Sequence, residues 1–165
     1  MIHQFIFFVH LSHNKSPYLP EIFDPIDVRA TKRFICVAKE MGFEVHSFGR
    51  KLPFDSNVIQ HVNVQTEDLI ELYSSSILTF TPQPVELFGL VPLESMFCGT
   101  PVISTFYHEA LNFHKNGVVF NFNKIKQMIE KVSVFKPNEV ISSVEKFSLE
   151  HSSRYLLSVL NDLNY

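Results

Sequence analysis

The 165-residue sequence has only two cysteines, Cys36 and Cys98. They are too few and too far apart for a disulfide framework or a Cys-Xaa-Xaa-Cys metal site, and a reducing cytoplasm fits that usage. No interior run reaches the roughly 18 apolar residues that a membrane helix needs. The opening MIHQFIFFVHL is apolar, but it lacks the basic start, the length and the small-residue cleavage site of a signal peptide, and it reads as a buried strand. Basic residues are not in excess, with 14 Lys and Arg against 17 Asp and Glu. The net charge of -3 gives no broad attraction to nucleic acid or anionic lipid, although a local cluster could still hold a phosphate. Eight histidines occur without an HxxxH or HExxH spacing, and no GxSxG elbow marks a nucleophilic serine near Ser74 to Ser76.

A hydrophobic content of 45% with 19% charged residues and 17 Phe specifies a globular domain whose core is filled largely with rings. Short apolar runs alternate with longer amphipathic ones, the pattern of parallel strands joined by crossover helices. Strands are expected at Phe5 to Val9, Glu44 to Phe48, Val58 to Val62, Ile77 to Thr81, Pro101 to Ser104 and Val118 to Phe120. The expected fold is therefore α/β: one Rossmann-like domain over residues 1–165, a doubly wound parallel sheet of six strands with helices on both faces. Asp24 and Pro25 suit the start of a first helix whose apolar face is Ile26, Ala30, Phe34, Val37 and Met41, ending at Gly42. A second helix is expected from Thr66 to the serine triplet. Polar, Lys-bearing helices over 124–134 and 137–147, and a last one over about 152–163, read as surface helices. Cys36 and Cys98 read as core; His108 and Glu109 adjoin the cleft, and an exposed loop residue is as good an account of His108. The loop from Ser12 to Phe23 is long enough to suggest function.

In an open parallel sheet, ligands bind beyond the carboxyl ends of the strands. The segments that follow strands are His10 to Lys15, Gly49 to Lys51, Pro82 to Val91 and Thr105 to Glu109. The third leads into VELFGLVPLESMFCGTPVIS, residues 85–104. Pro92 suits a first helical position and Gly99 the residue past the end, so a helix is expected over Val91 to Cys98 with Phe88, Gly89 and Leu90 at its start. Backbone N–H groups there lack intrahelical partners and attract anions. Glu94 is expected in the first turn and Glu86 in the preceding loop. Two carboxylates around an anion pocket suit a diphosphate that carries sugar hydroxyls at both ends, as a nucleotide sugar does.

Residues 86–104 resemble the EGFGLxxLEAMAxGTPVIA block of the donor-binding, C-terminal domain of GT-B-fold retaining glycosyltransferases of family 4, the glycosyl transferases group 1. Upstream, TEDLIELYSSSILTFTPQPVE is similar to that family's helix, strand and proline loop. Downstream, HEALNFHKNGVVF carries its glutamate and Asn-Gly at Glu109 and Asn116-Gly117. More weakly, VHLSHNKS, residues 9–16, is similar to GRLxxxKG.

The resemblance implies that Lys15 binds the diphosphate and that N–H groups around Phe88, Gly89, Leu90 and Val91 hold sugar and diphosphate. It further implies that Glu94 binds ribose hydroxyls and that Glu86 lies against the transferred sugar, with Glu86 and Lys15 as the catalytic pair. His10 stands where the family has arginine, and Arg50 or Lys51 could compensate or be solvated loop charges. Thr105-Phe106 replace a Gly-Gly pair. No metal or other cofactor is implied, in keeping with the lack of a paired-aspartate motif; the donor would be a UDP- or GDP-linked sugar. The implied partners are this donor, a glycan or lipid-linked acceptor, and an acceptor-binding N-terminal domain or partner subunit that could bring the protein to a membrane; no nucleic acid is implied. Alone, the domain would be inactive. The alternatives are a non-catalytic binding or assembly subunit and part of a GT-B-fold sugar-nucleotide epimerase.

Overall fold

The structure, a computed structural model, describes residues 5–10, 28–49, 52, 57–62, 64–83 and 89–162. The strands are β1 Phe5–His10, β2 Glu44–Gly49, β3 Ile59–His61, β4 Leu78–Thr81, β5 Val102–Ser104 and β6 Gly117–Val119. The helices are α1 Val28–Glu40, α2 Thr66–Ser75, α3 Leu90–Phe97, α4 Ile125–Val132, α5 Pro137–Val144 and α6 Leu149–Asp162, with a 3-10 turn at Glu145–Phe147. The strands pair in the order β3-β2-β1-β4-β5-β6, and every pairing is parallel. β1, first in the chain, thus lies between β2 and β4, and the order reverses there. His10 ends β1 in register with Gly49.

Alternate strand residues supply two faces. On one, Val45, Leu78, Phe80, Ile103 and Val118 pack with Ala30, Phe34, Ile35, Val37 and Ala38 of α1 and with Ile125, Met128, Ile129 and Val132 of α4. The Phe34 and Phe80 rings stack there at 4.1 Å. On the other face, Val102 meets Leu93 and Met96 of α3 and Val140 and Val144 of α5, while Tyr73 of α2 meets Val91. α1 closes on Gly42, whose φ of 84° is the left-handed conformation that glycine adopts without steric cost.

Three expectations change. α4 and α5 are not merely surface helices: their apolar residues recur at three- and four-residue spacing and the resulting stripes are buried. Cys36 is exposed, with its thiol 3.3 Å from the Glu40 carboxylate, because it occupies the outer side of α1 between two buried neighbours. Cys98 is half-buried, at the end of α3. α6 buries none of its side chains among the described residues and exposes Leu149, Tyr155, Leu156, Leu157 and Leu160. Asp24, Pro25 and Ile26, like the Ser12 to Phe23 loop, lie outside the described residues. No helix among those described is long and apolar enough to cross a membrane, and no group of three or more His, Cys, Asp and Glu among them could hold a metal ion.

Candidate functional site

Strand order reverses between β1 and β4, and in an open parallel sheet such a point is where a ligand crevice forms beyond the carboxyl ends of the strands. Three described segments meet on the β4 side of that crevice: Thr81 to Gln83, the start of α3 at Gly89 to Val91, and Ser104 to His108 after β5. Thr105 ties two of them, its N–H donating to the Thr81 carbonyl at 3.0 Å and its hydroxyl to the Gln83 carbonyl at 2.6 Å. Thr81 Oγ1 and Gln83 Nε2 are buried where β4 ends and find no hydrogen-bond partner among the described residues.

Gly89 precedes α3 with φ 78° and ψ 55°, and no side chain among the described residues caps the helix. The helix starts at Leu90, so Pro92 is its third residue rather than its first, a place a proline tolerates because that N–H has no intrahelical acceptor. The N–H groups of Gly89, Leu90 and Val91 therefore gather at the mouth of α3. The same shift places Glu94 beyond the first turn, which contains no acid.

Glu94 is solvent-exposed, but its Oε2 accepts from the Tyr73 hydroxyl across 3.5 Å. Tyr73 is 1% exposed, and burial first, then the Glu94 carboxylate, holds its hydroxyl well above the ordinary tyrosine range. Burial likewise raises the Cys98 thiol, Glu94 adding to the effect and a hydrogen bond from Ser74 opposing it. Beneath Glu94, Ser95 Oγ lies 2.7 Å from Thr79 Oγ1 and 3.0 Å from the Thr100 carbonyl, and the Thr100 hydroxyl donates to the Tyr73 carbonyl at 2.5 Å. This buried chain of hydrogen bonds fixes α3 against β4 and α2.

His108 is buried, not exposed: 6% of it is accessible, with Nε2 3.0 Å from Ser104 Oγ and its ring set edge-on to Phe106. The side chains that replace the family's double glycine are thus accommodated, Thr105 by two carbonyls and Phe106 by the imidazole. Asn116 is fully buried, spanning the Ala110 carbonyl, the Ser143 hydroxyl and the Asn112 N–H, while Glu109 is exposed.

Of the sequence-predicted site residues, Gly89, Leu90, Val91 and Glu94 are brought together at the start of α3. His10 ends the neighbouring β1, one strand away. Glu86, Phe88, Lys15, Arg50 and Lys51 lie outside the described residues. Sequence reasoning missed Tyr73, Thr79, Ser95 and Thr100. The available signal was a tyrosine on the apolar face of α2, whose polar tip needs a partner once buried.

Residues 44–149 match the family model of glycosyl transferases group 1, well over half of the chain. The chain belongs to this family. Over 36 residues, 22% of this chain and 8% of the relative, it is 50% identical to the D-inositol 3-phosphate glycosyltransferase of Acidothermus cellulolyticus. Among solved structures, the GtfA/B complex matches with a TM-score of 0.67 at 11% identity, over 97% of this chain and 36% of that one. The pneumococcal O-GlcNAc transferase GtfA, solved with UDP and GlcNAc, matches with a TM-score of 0.64 at 14% identity, over 99% of this chain and 36% of that one. At such identities the likeness is one of fold: the α/β, Rossmann-like architecture of GT-B glycosyltransferases. This group 1 chain spans little more than a third of those solved chains.

Proposed function

We propose that the chain is the donor-binding domain of a retaining GT-B glycosyltransferase, holding a nucleotide-diphosphate sugar while another domain or subunit presents a glycan or lipid-linked acceptor. The observation that carries this reading is the position of the family's two-glutamate block: its Gly89 to Val91 segment forms the mouth of α3, beside the point where strand order reverses. N–H groups at that mouth would receive the diphosphate, Glu94 the ribose hydroxyls and Glu86 the transferred sugar. As the glycosidic bond breaks, negative charge grows on the diphosphate. The positive end of the α3 dipole and the Lys15 ammonium would stabilise that charge, with no metal called for. Calorimetric titration of the chain with UDP, GDP and their sugars tests the reading. Binding is expected, weakened at least tenfold by Glu94→Ala and by Lys15→Ala; no heat with any nucleoside diphosphate would sink it.

A second reading, a non-catalytic subunit that binds or assembles with a transferase, is favoured by one feature. Thr105 and Phe106 fill space that the family leaves to two glycines, and Thr105 is tied to the carbonyls of Thr81 and Gln83. Mixing the chain with an acceptor-domain partner separates the two readings, because the donor-domain reading requires sugar transfer that disappears with Glu86→Ala.

A further inference from the structure

We infer that Tyr73 is a positioning residue for nucleotide binding: its buried hydroxyl, reaching across from α2, sets the direction in which the exposed Glu94 carboxylate faces a nucleoside's sugar hydroxyls. The inference rests on the donor-binding reading of Glu94. An exposed glutamate on a helix samples several rotamers, and a hydrogen bond from a fixed donor selects among them. Tyr73 is such a donor. It shares a buried cluster with Val91, against which Leu69, Leu72, Phe48 and Cys98 pack, and its carbonyl accepts from Thr100 at 2.5 Å. Its hydroxyl is buried with the ring and lies 3.5 Å from Glu94 Oε2. A tyrosine that only filled this space could give up its oxygen without consequence. Here the oxygen is turned to the one carboxylate of α3, and the hydroxyl stays protonated, hence a donor, far above neutral pH.

The arrangement also divides labour within the site. Leu90 and Val91 N–H groups, which would meet phosphate, belong to the helix backbone and rest on the packing of the Tyr73 ring, not on its hydroxyl. Glu94, which would meet the sugar of the nucleoside, depends on that hydroxyl. Tyr73→Phe therefore acts on one half of the ligand.

The test is titration of wild-type, Tyr73→Phe, Glu94→Ala and double-variant chains with UDP, GDP and inorganic pyrophosphate, with thermal unfolding as a check that Tyr73→Phe is folded. Phenylalanine keeps the ring and its packing. Tyr73→Phe is expected to weaken the nucleoside diphosphates about three- to tenfold and leave pyrophosphate affinity within twofold. The double variant is expected to bind no worse than Glu94→Ala, because both changes remove one coupled interaction. Equal UDP affinity in wild type and Tyr73→Phe overturns the inference while the donor-binding reading stands, as does a parallel loss of UDP and pyrophosphate. A wild-type chain that binds pyrophosphate but no nucleoside diphosphate overturns both.

Discussion

The imidazole of His108 lies so close over Gly89 that a Cβ built on the glycine would stand 2.4 Å from Nδ1 and 2.6 Å from Cε1. The contact joins the loop after β5 to the first residue of the α3 mouth, and Ser104 holds the ring in place from beneath. Gly89 is thus required twice, for its positive φ and for its missing side chain.

Gly89→Ala is expected to be destabilising on both counts. The left-handed conformation costs a side chain about 1–2 kcal/mol, and displacing a buried ring adds about 1–3 kcal/mol. A fall of roughly 5–15 °C in Tm follows for a chain of this size. UDP affinity is expected to fall at least tenfold below that transition, since the displaced segment carries the N–H groups. Retention of both Tm and affinity would mean that His108 moves aside freely and that the α3 mouth is not fixed by this contact.

Asn116 makes a contrasting case. Its carboxamide spans three partners: it donates to the Ala110 carbonyl at 2.8 Å and the Ser143 hydroxyl at 2.7 Å, and accepts from the Asn112 N–H at 2.6 Å. The Asn-Gly pair that helps to identify the family thus works here as a strap between the loop, β6 and α5. Asn116→Ala leaves buried groups unsatisfied at a cost of about 2–4 kcal/mol. The expected result in urea denaturation is a clearly lower midpoint with UDP affinity within threefold of wild type. A large loss of affinity in a stable variant would instead assign Asn116 to the site.

Much of the fold was legible because it is written in local periods. The β4 and β5 runs and the spacing of Ala30, Phe34 and Val37 give the alternation of strand and helix directly, and Gly42 marks where α1 stops. Polarity misleads where it competes with period. α4 looked like a surface helix because of Lys124, Lys126 and Lys131, yet Ile125, Met128, Ile129 and Val132 form one buried stripe. Cys36 looked like core by residue type, although one step of about 100° from Ile35 turns it outward. The candidate site was legible as far as its motif extends: Gly89 to Val91 and Glu94 sit on one helix. Its supports were not, because Tyr73 lies 21 residues from Glu94 and Thr79 16 from Ser95 in the chain. Only tertiary packing brings such pairs together, and it is the same packing that buries His108.

Ser95 tests that packing. Its hydroxyl is fully buried between Thr79 Oγ1 and the Thr100 carbonyl, and Ser95→Ala strands both of them. A loss of about 1–3 kcal/mol is expected. Hydrogen exchange should quicken at Thr79 and along α3 before it does in α1. Uniform exchange across the chain would show that Ser95 contributes only to global stability.

At the far edge of the sheet, the rings of His46 and His61 stack 5.1 Å apart, with His46 Nδ1 2.8 Å from His61 Nε2 and His46 Nε2 2.8 Å from Glu44 Oε1. With His46 donating to the carboxylate, its Nδ1 is the acceptor and His61 Nε2–H the donor. Asp68 and Glu71 of α2 line the same groove as His61. Burial first, and His46 second, nonetheless lower the His61 pKa below its ordinary value of 6.5. The unfolded chain therefore binds a proton at His61 more readily than the folded one. The stability this residue contributes is complete above about pH 6.5, declines as pH falls below that, and levels off beneath the folded-state value. Urea midpoints measured at pH 7.5, 6.5 and 5.5 should fall across the last interval in the wild type and fall less in His61→Gln, which keeps a side-chain N–H for His46. The difference between the two curves isolates His61 from the carboxylates that titrate lower still. Parallel curves would mean that His61 takes up its proton equally in both states and that the ring pair places no charge limit on this edge.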